Sequence, residues 1–462
     1  MQAEQSRFRI DWSLVIFVLS LCGLAFLYGV ISTNYKLFPY RATHKAMEGF
    51  DAWMALEDET LGASVNRIDE KASTKPIFRT LATGAGNELL LVTGGPNQDA
   101  VRCPKFGCLA WIIDRQGKVL HSWPLPLDAL MAGVKSFKGN PDLRNFYPIG
   151  LHLLPDGGLV ATIRARNTYP YVVGIARVDW NGKLLWHHID SAHHWVSVGA
   201  DGRIYAPIQI RHKRTHIGGN AVPIRCPVVT YDEGVRIYRP DGSIERTLLM
   251  SDLLVRNNYP GLIYSVRDDC DPIHLNSVDV LTPAVAAHIP GSAPGDILVS
   301  IRELSAVALV DPVSGTIRRL VAGRSAAQHS AHFLPDGTVL VFDNQGGEMA
   351  KGGSRILRIN LVDGTARTVF PTAASHDALP FYSSDGGTVT PSPDGARAMI
   401  SSKDESRDLE FDIATGQPLW TTTRVMDVGP FMNNDGKPIA GYFKAYGTYY
   451  ITDEQARALH LR

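Results

Sequence analysis

One short pattern returns along this chain and limits what it can fold into: a strand, a turn built on Asp-Gly or a near variant, and a second strand. The clearest copy runs from Gln328 to Asn344, where His329 enters a strand, Pro335-Asp336-Gly337 turns the chain, and Thr338 leads back. Pro fixes φ, Asp can bond to the backbone that follows it, and Gly tolerates positive φ, so the triplet suits a tight turn. A related unit appears six times, at residues 111–120, 176–186, 235–249, 307–320, 356–370 and 409–420. Each is preceded by another hairpin, starting near Asn87 (the weakest), Leu151, His194, His274, His329 and Thr388. Two hairpins make a four-stranded sheet of about 40 to 50 residues, the period of a propeller blade. The expected fold is therefore all-β, a six-bladed β-propeller, although a repeat this degenerate is compatible with seven blades. The 42 Gly and 28 Pro, scattered through the chain, fit many short strands joined by turns.

The N-terminal end follows a different pattern. Trp12 to Ser32 is uncharged and apolar, long enough for a helix that spans a bilayer. The alternative is a cleaved signal peptide. The length of the run and the missing small-x-small site favour an uncleaved anchor. Arg7 and Arg9 precede the run while Lys36, Arg41 and Lys45 follow it, so flanking charge barely sets the orientation. Met47, Phe50, Trp53, Met54 and Leu56 approximate helical spacing and predict a short membrane-proximal helix. The expected organisation is a tail at 1–11, an anchor at 12–32, a helix and linker at 33–75, the propeller at 76–450 and a tail at 451–462. With 46 basic and 46 acidic side chains the formal net charge is zero, and nothing suggests a nucleic-acid footprint.

Inner strands of a propeller line a central channel, so residues that open them share one rim. His329 lies seven residues before Asp336, and His194 seven before Asp201. His274 opens the corresponding strand in Asp271-Pro272-Ile273-His274-Leu275-Asn276. A single histidine of this kind is most simply a satisfied polar group. Three at equivalent places in a closed ring converge on the axis and mark a candidate site. Asn276, two residues after His274, is expected on the same side of the strand. Arg302 ends an apolar strand in the same unit, which predicts a buried or channel position. His193 competes with His194 for its role. His152 and His332 sit one register along, and His187 and His188 fall on an outer strand with no expected role.

These residues resemble the bacterial arylsulfotransferases, over roughly His152 to Trp420. The resemblance rests on Ile273-His274-Leu275-Asn276-Ser277, on Arg302-x-x-Ser305-Ala306-Val307, and on Gln328-His329 followed by Phe333-Leu334-Pro335-Asp336-Gly337 and Val341-Phe342-Asp343-Asn344. It implies a six-bladed propeller that moves a sulfuryl group between phenols with no nucleotide donor, no metal and no dissociable cofactor. It implies that His329 is the transiently sulfated histidine and Arg302 the sulfuryl-binding arginine. It further implies His194, His274 and Asn276 as catalytic partners, with Asn276 and His193 also near substrate. The implied partners are an aryl sulfate donor and a phenolic acceptor, and the implied location is the bacterial inner membrane with the propeller in the periplasm. This chain departs from the family in having an anchor where known members have a strand-rich N-terminal domain. The stretch between Asn276 and Arg302 is also longer than usual.

The chemistry agrees with the resemblance. Sulfuryl transfer shifts charge to a leaving oxygen, so catalysis is mostly positioning and electrostatics. Neutral imidazole is both a nucleophile and a leaving group, which suits a two-step cycle. His194 or His274 would move the proton. Two other readings stay open at this point: a metal-dependent lyase or hydrolase built on the histidine ring, and a non-catalytic envelope scaffold. A guanidinium beside the histidines weighs against the metal. Cys103 with Cys108, and Cys226 with Cys270, are either disulfides permitted by an oxidising compartment or buried thiols.

Overall fold

The apolar run is one α-helix, Trp12–Tyr35, in the computed structural model, which describes residues 11–40, 42–43, 65–69, 77–95, 102–103, 106–132, 138–139, 146–165, 168–169, 172–212, 216–226, 229–423, 440–443 and 446–462. Asp11 caps it by accepting from the backbone N–H of Ser13 and Leu14, at 3.0 and 3.4 Å. At about 1.5 Å per residue a helix of this length reaches across a hydrocarbon core. Its large apolar side chains are exposed, and residues 1–59 form a unit of their own. The helix expected around Met47 to Leu56 lies outside the described residues.

Residues 60–462 form the second unit, a six-bladed propeller. Blade 2 runs outward through Phe146–Leu153, Leu159–Ala165, Val172–Val178 and Leu184–His188. Blade 3 uses Ser197–Val198, Ile204–His212, Thr230–Tyr238 and Ile244–Leu249. Blade 4 uses Leu275–Val280, Ile297–Ile301, Ala306–Val310 and Ile317–Ala322. Blade 5 uses His329–Phe333, Val339–Asp343, Arg355–Ile359 and Ala366–Phe370. Blade 6 uses Thr388–Pro391, Arg397–Ser402, Arg407–Asp412 and Pro418–Thr423. His187 and His188 fall on the outermost strand of blade 2, as expected.

Blade 1 corrects the expected hairpin near Asn87. Its outer strands are Leu89–Gly95, Cys108–Ile113 and Val119–Pro124, but its innermost strand is Thr448–Ile451, with Leu89 opposite Ile451. Ile77–Thr80 in turn adds a fifth strand to the outer edge of blade 6. The two ends of the ring are thus tied by strands from opposite ends of the chain. The expected linker contains a strand as well, Val65–Asp69, paired with Ala440–Phe443. Beyond the closing strand, Thr452 and Gln455 form a capping box on the short helix Asp453–Ala458.

Blades bury both faces, which is why their middle strands read as unbroken apolar runs rather than alternating ones. Ile297–Ile301 and Ala306–Val310 are buried at every position. Leu298, Val307 and Leu309 of blade 4 pack on Ala331, Val339, Val341 and Leu357 of blade 5. Both cysteine pairs are disulfides, Cys103–Cys108 and Cys226–Cys270.

Candidate functional site

The inner strands of blades 3, 4 and 5 meet near the axis. Trp195 bridges Ser277, its N–H donating to the Asn276 carbonyl at 3.3 Å, and the Ala331 N–H donates to the Ser277 hydroxyl at 2.9 Å. Just before these contacts the backbone turns over. His194, His274 and Ser330 have φ of 54°, 45° and 52°, the left-handed region that costs a non-glycine residue about 1–2 kcal/mol. Strain of this kind persists where surrounding contacts over-determine the backbone, and it clusters at functional sites.

The turned-over backbone brings His194, His274 and His329 together. Their ring centroids are 5.7 Å (194 to 274), 6.0 Å (194 to 329) and 6.4 Å (274 to 329) apart. One ring nitrogen from each lies within 4.8 Å of the others. They line a cavity of about 340 Å³ together with Arg302. So four of the six residues singled out from the sequence share one space.

The other two do not line it. A bulge between Leu275 and Ser277 breaks the alternation that would have put Asn276 beside His274. Asn276 is fully buried, and its amide donates to the Gln328 carbonyl at 2.8 Å, bracing the entry to the next blade. His193 is buried behind His194. Its Nδ1 lies 2.5 Å from Nδ1 of His194, and its Nε2 lies 3.6 Å from Glu233 Oε1. His152 and His332 are also off the cavity, His332 lying 3.5 Å from Asp279.

The cavity holds residues that sequence reasoning missed. Arg164 and Lys403 add cationic side chains, and Tyr147, Trp195 and Tyr446 add aromatic ones. Tyr147 and Tyr446 stack with centroids 5.1 Å apart, and the Trp195 indole donates to the Tyr446 carbonyl at 3.1 Å. A signal for several of the polar residues was present. Arg164, Gln209, Arg302 and Asn344 each stand seven residues after the glycine of their blade's inner turn, and Lys403 eight after Gly395. Counting forward from the turns, as well as back, locates the second ring.

Each histidine has a different backing. His274 Nδ1 is 2.8 Å from Asp271 Oδ2. Asp271 sits beside Glu233, whose carboxyl is raised well above its usual range by burial and by Asp271. Gln209 donates to Glu233 at 3.0 Å. His194 is pushed well below the ordinary imidazole range by burial and by the His193 ring. His329 is pushed the same way by burial and by His274. Its Nδ1 lies 2.8 Å from Asn344 Oδ1 and 3.1 Å from the Ala327 carbonyl, while Nε2 meets the Gly386 N–H at 3.4 Å.

This arrangement suits an anion. Two histidines are held neutral, and Arg164, Arg302 and Lys403 line the same space against a single lining carboxylate, Asp385, which is in contact with Lys403; Arg302 also contacts Glu303. The trio could gather round a metal ion by distance alone, as could Glu233, Asp271 and His274. The guanidinium and ammonium groups facing the trio would repel such an ion.

Comparison with known proteins adds a family match over part of the chain. Residues 255–423 match the family described as "Arylsulfotransferase (ASST)". No curated protein matches the chain. Among solved structures, a protein of unknown function from Bacteroides caccae is similar at 12% identity and TM-score 0.44, over 73% of this chain and 93% of that one. Hydrazine synthase of Kuenenia stuttgartiensis is similar at 13% identity and TM-score 0.39, over 66% and 70%. Virginiamycin B lyase of Staphylococcus aureus is similar at 13% identity and TM-score 0.35, over 62% and 74%.

Proposed function

Starting from an arylsulfotransferase-like propeller whose family match spans residues 255–423, we propose that the protein moves a sulfuryl group from an aryl sulfate to a phenolic acceptor through a sulfohistidine. The observation that carries this reading is the gathering of three imidazoles from three blades in one cavity with Arg164, Arg302 and Lys403.

The cycle has two half-reactions. His329 Nε2 attacks sulfur, the S–O bond breaks, and its electron pair leaves with the aryl oxygen. That oxygen takes a proton from Nε2 of His274. In the second half the acceptor hydroxyl returns a proton to His274, its oxygen attacks sulfur, and the N–S electron pair goes back to His329. Burial serves the nucleophile, because only neutral imidazole has a lone pair to give. Arg302 and its cationic neighbours stabilise the sulfuryl oxygens in both steps.

His274 is a better proton carrier than His194. The Asp271 carboxylate accepts at its Nδ1 and holds the ring, leaving Nε2 for the substrate. His194 faces His193 nitrogen to nitrogen, so only one of those two atoms can hold a proton. His194 then serves as a neutral polar contact. The aromatic side chains Tyr147, Trp195 and Tyr446 give an aryl ring a surface to stack on.

The helix Trp12–Tyr35 serves as the membrane anchor in this reading. Two disulfides fit an oxidising space, so the propeller is assigned to the periplasmic side of the bacterial inner membrane. Protease added to spheroplasts should then digest the propeller, and protection until lysis would reverse the orientation.

The test of activity is incubation with 4-nitrophenyl sulfate and phenol, wild type beside His329→Ala. Phenol release and acceptor sulfation are expected, both lost in the variant. Mass spectrometry of the quenched wild type should find the sulfuryl group on the peptide that contains His329. An unchanged rate in His329→Ala would remove this histidine from the mechanism.

A further inference from the structure

Asn344 directly follows the second strand of blade 5, Val339–Asp343, and is fully buried. The orientation of its amide follows from its neighbours. Nδ2 donates to the carbonyls of Ser383 and Gly386 at 3.0 and 2.8 Å. Carbonyl oxygens only accept, so the nitrogen must face them and Oδ1 must face His329. Two oxygens, Asn344 Oδ1 and the Ala327 carbonyl, therefore meet Nδ1 of His329. Neither has a proton to give, so Nδ1 must carry the hydrogen. On the other side of the ring, the hydrogen-bond contact of Nε2 among the described residues is a donor, the Gly386 N–H, at 3.4 Å. The opposite tautomer would set a lone pair against two oxygens and an N–H against an N–H.

From these contacts we propose that Asn344 is a positioning residue for His329, locking the tautomer whose Nε2 lone pair is free to attack sulfur. The role deepens the sulfotransferase reading and rests on it. Gly386 holds the lock from both sides, since its carbonyl fixes the Asn344 amide and its N–H meets Nε2. The long 3.4 Å contact at Nε2 is weak enough for sulfur to displace. The groups that face the His329 ring are His194 from blade 3, His274 and Arg302 from blade 4, and Asp385 and Lys403 from the blade 6 side. The carboxylate of Asp385 is in contact with Lys403. The ring therefore has no carboxylate of its own, unlike His274, and the neutral amide leaves it uncharged.

The test compares the full-length wild type, Asn344→Leu and Asn344→Asp, with His329→Ala used to assign the resonances. Selective ¹⁵N-histidine labelling reads the tautomer of His329 without any substrate. The wild type should show a protonated Nδ1 and an unprotonated Nε2. Asn344→Leu should lose that single tautomer, with the burst of 4-nitrophenol falling about 100-fold or more, as when a triad histidine loses its tautomer. Asn344→Asp puts a carboxylate beside the ring, which favours imidazolium, so the acid limb of the burst profile should move to higher pH. A wild-type His329 protonated at Nε2 would overturn the proposal, even if Asn344→Leu does not fold. So would an acid limb that stays put in Asn344→Asp. If the tautomer is as stated but no aryl sulfate gives a burst, the sulfotransferase reading fails and the lock stands.

Discussion

Of the three rim histidines, His274 has a carboxylate behind it and the other two have neutral groups. Asp271 is 2.8 Å from His274, whereas His194 faces an imidazole and His329 an amide. That difference sorts similar side chains into different tasks: Asp271 holds the His274 ring at Nδ1, whereas burial holds His194 and His329 below the ordinary imidazole range. Asp271→Asn keeps an acceptor but removes the charge. We expect the rate of the first half-reaction to fall about 100-fold with phenyl sulfate, whose leaving group needs a proton, and only slightly with 4-nitrophenyl sulfate. Equal losses with both donors would remove His274 from proton transfer. His194 and His329 were legible in the sequence because their spacing to the turns repeats, and His274 because it opens the corresponding strand of its blade. Asn276 was misread because alternation was assumed through a bulge, and Asn344 was seen only as part of a motif, since its role depends on the carbonyls of Ser383 and Gly386, 39 and 42 residues later.

The segment 270–274 is the element that delivers His274. It is short, contains Pro272, and is pinned at one end by the Cys226–Cys270 disulfide and by the Tyr231 N–H, which donates to the Cys270 carbonyl at 2.7 Å. At the other end Asp271 and His274 hold each other. Opening the disulfide with Cys226→Ser and Cys270→Ser should therefore lower turnover about 10-fold while leaving the strands of blade 4 folded. Far-ultraviolet circular dichroism beside kcat checks this, and full activity in the double variant would show the disulfide is irrelevant to the site. Spacing alone left the cysteine pairing open. Connectivity depends on which chain segments pack side by side, here the ends of two stretches 44 residues apart.

At the scale of the whole molecule the ring must close, and it closes around charge as well as strands. Glu410 of blade 6 is fully buried between Arg397 of its own blade and Arg115 of blade 1, at 2.9 and 3.0 Å, and Tyr450 of the closing strand donates to it at 2.9 Å. Glu88 completes the cluster with Arg115 at 3.1 Å and a contact to Arg397. Removing one member of a buried ion cluster leaves the others uncompensated and costs about 3–5 kcal/mol. Glu410→Ala is thus expected to lower the thermal midpoint by several degrees, seen by calorimetry, with the site geometry otherwise intact. A change within error would show that the strand exchange alone holds the ring shut.

The repeating blade unit, the apolar helix and the three rim histidines were set by local pattern, because strand, turn and helix periods are properties of neighbouring residues. The origin of the innermost strand of blade 1, the second ring of Arg164 and Lys403, the withdrawal of Asn276 and His193, and the protonation pattern of the imidazoles were decided by tertiary structure. Each depends on contacts between distant blades: Ile451 finds Leu89, Asn344 finds Ser383, and Asp271 meets Glu233. Such pairings carry no period along the chain, so only closure of the ring brings them into being.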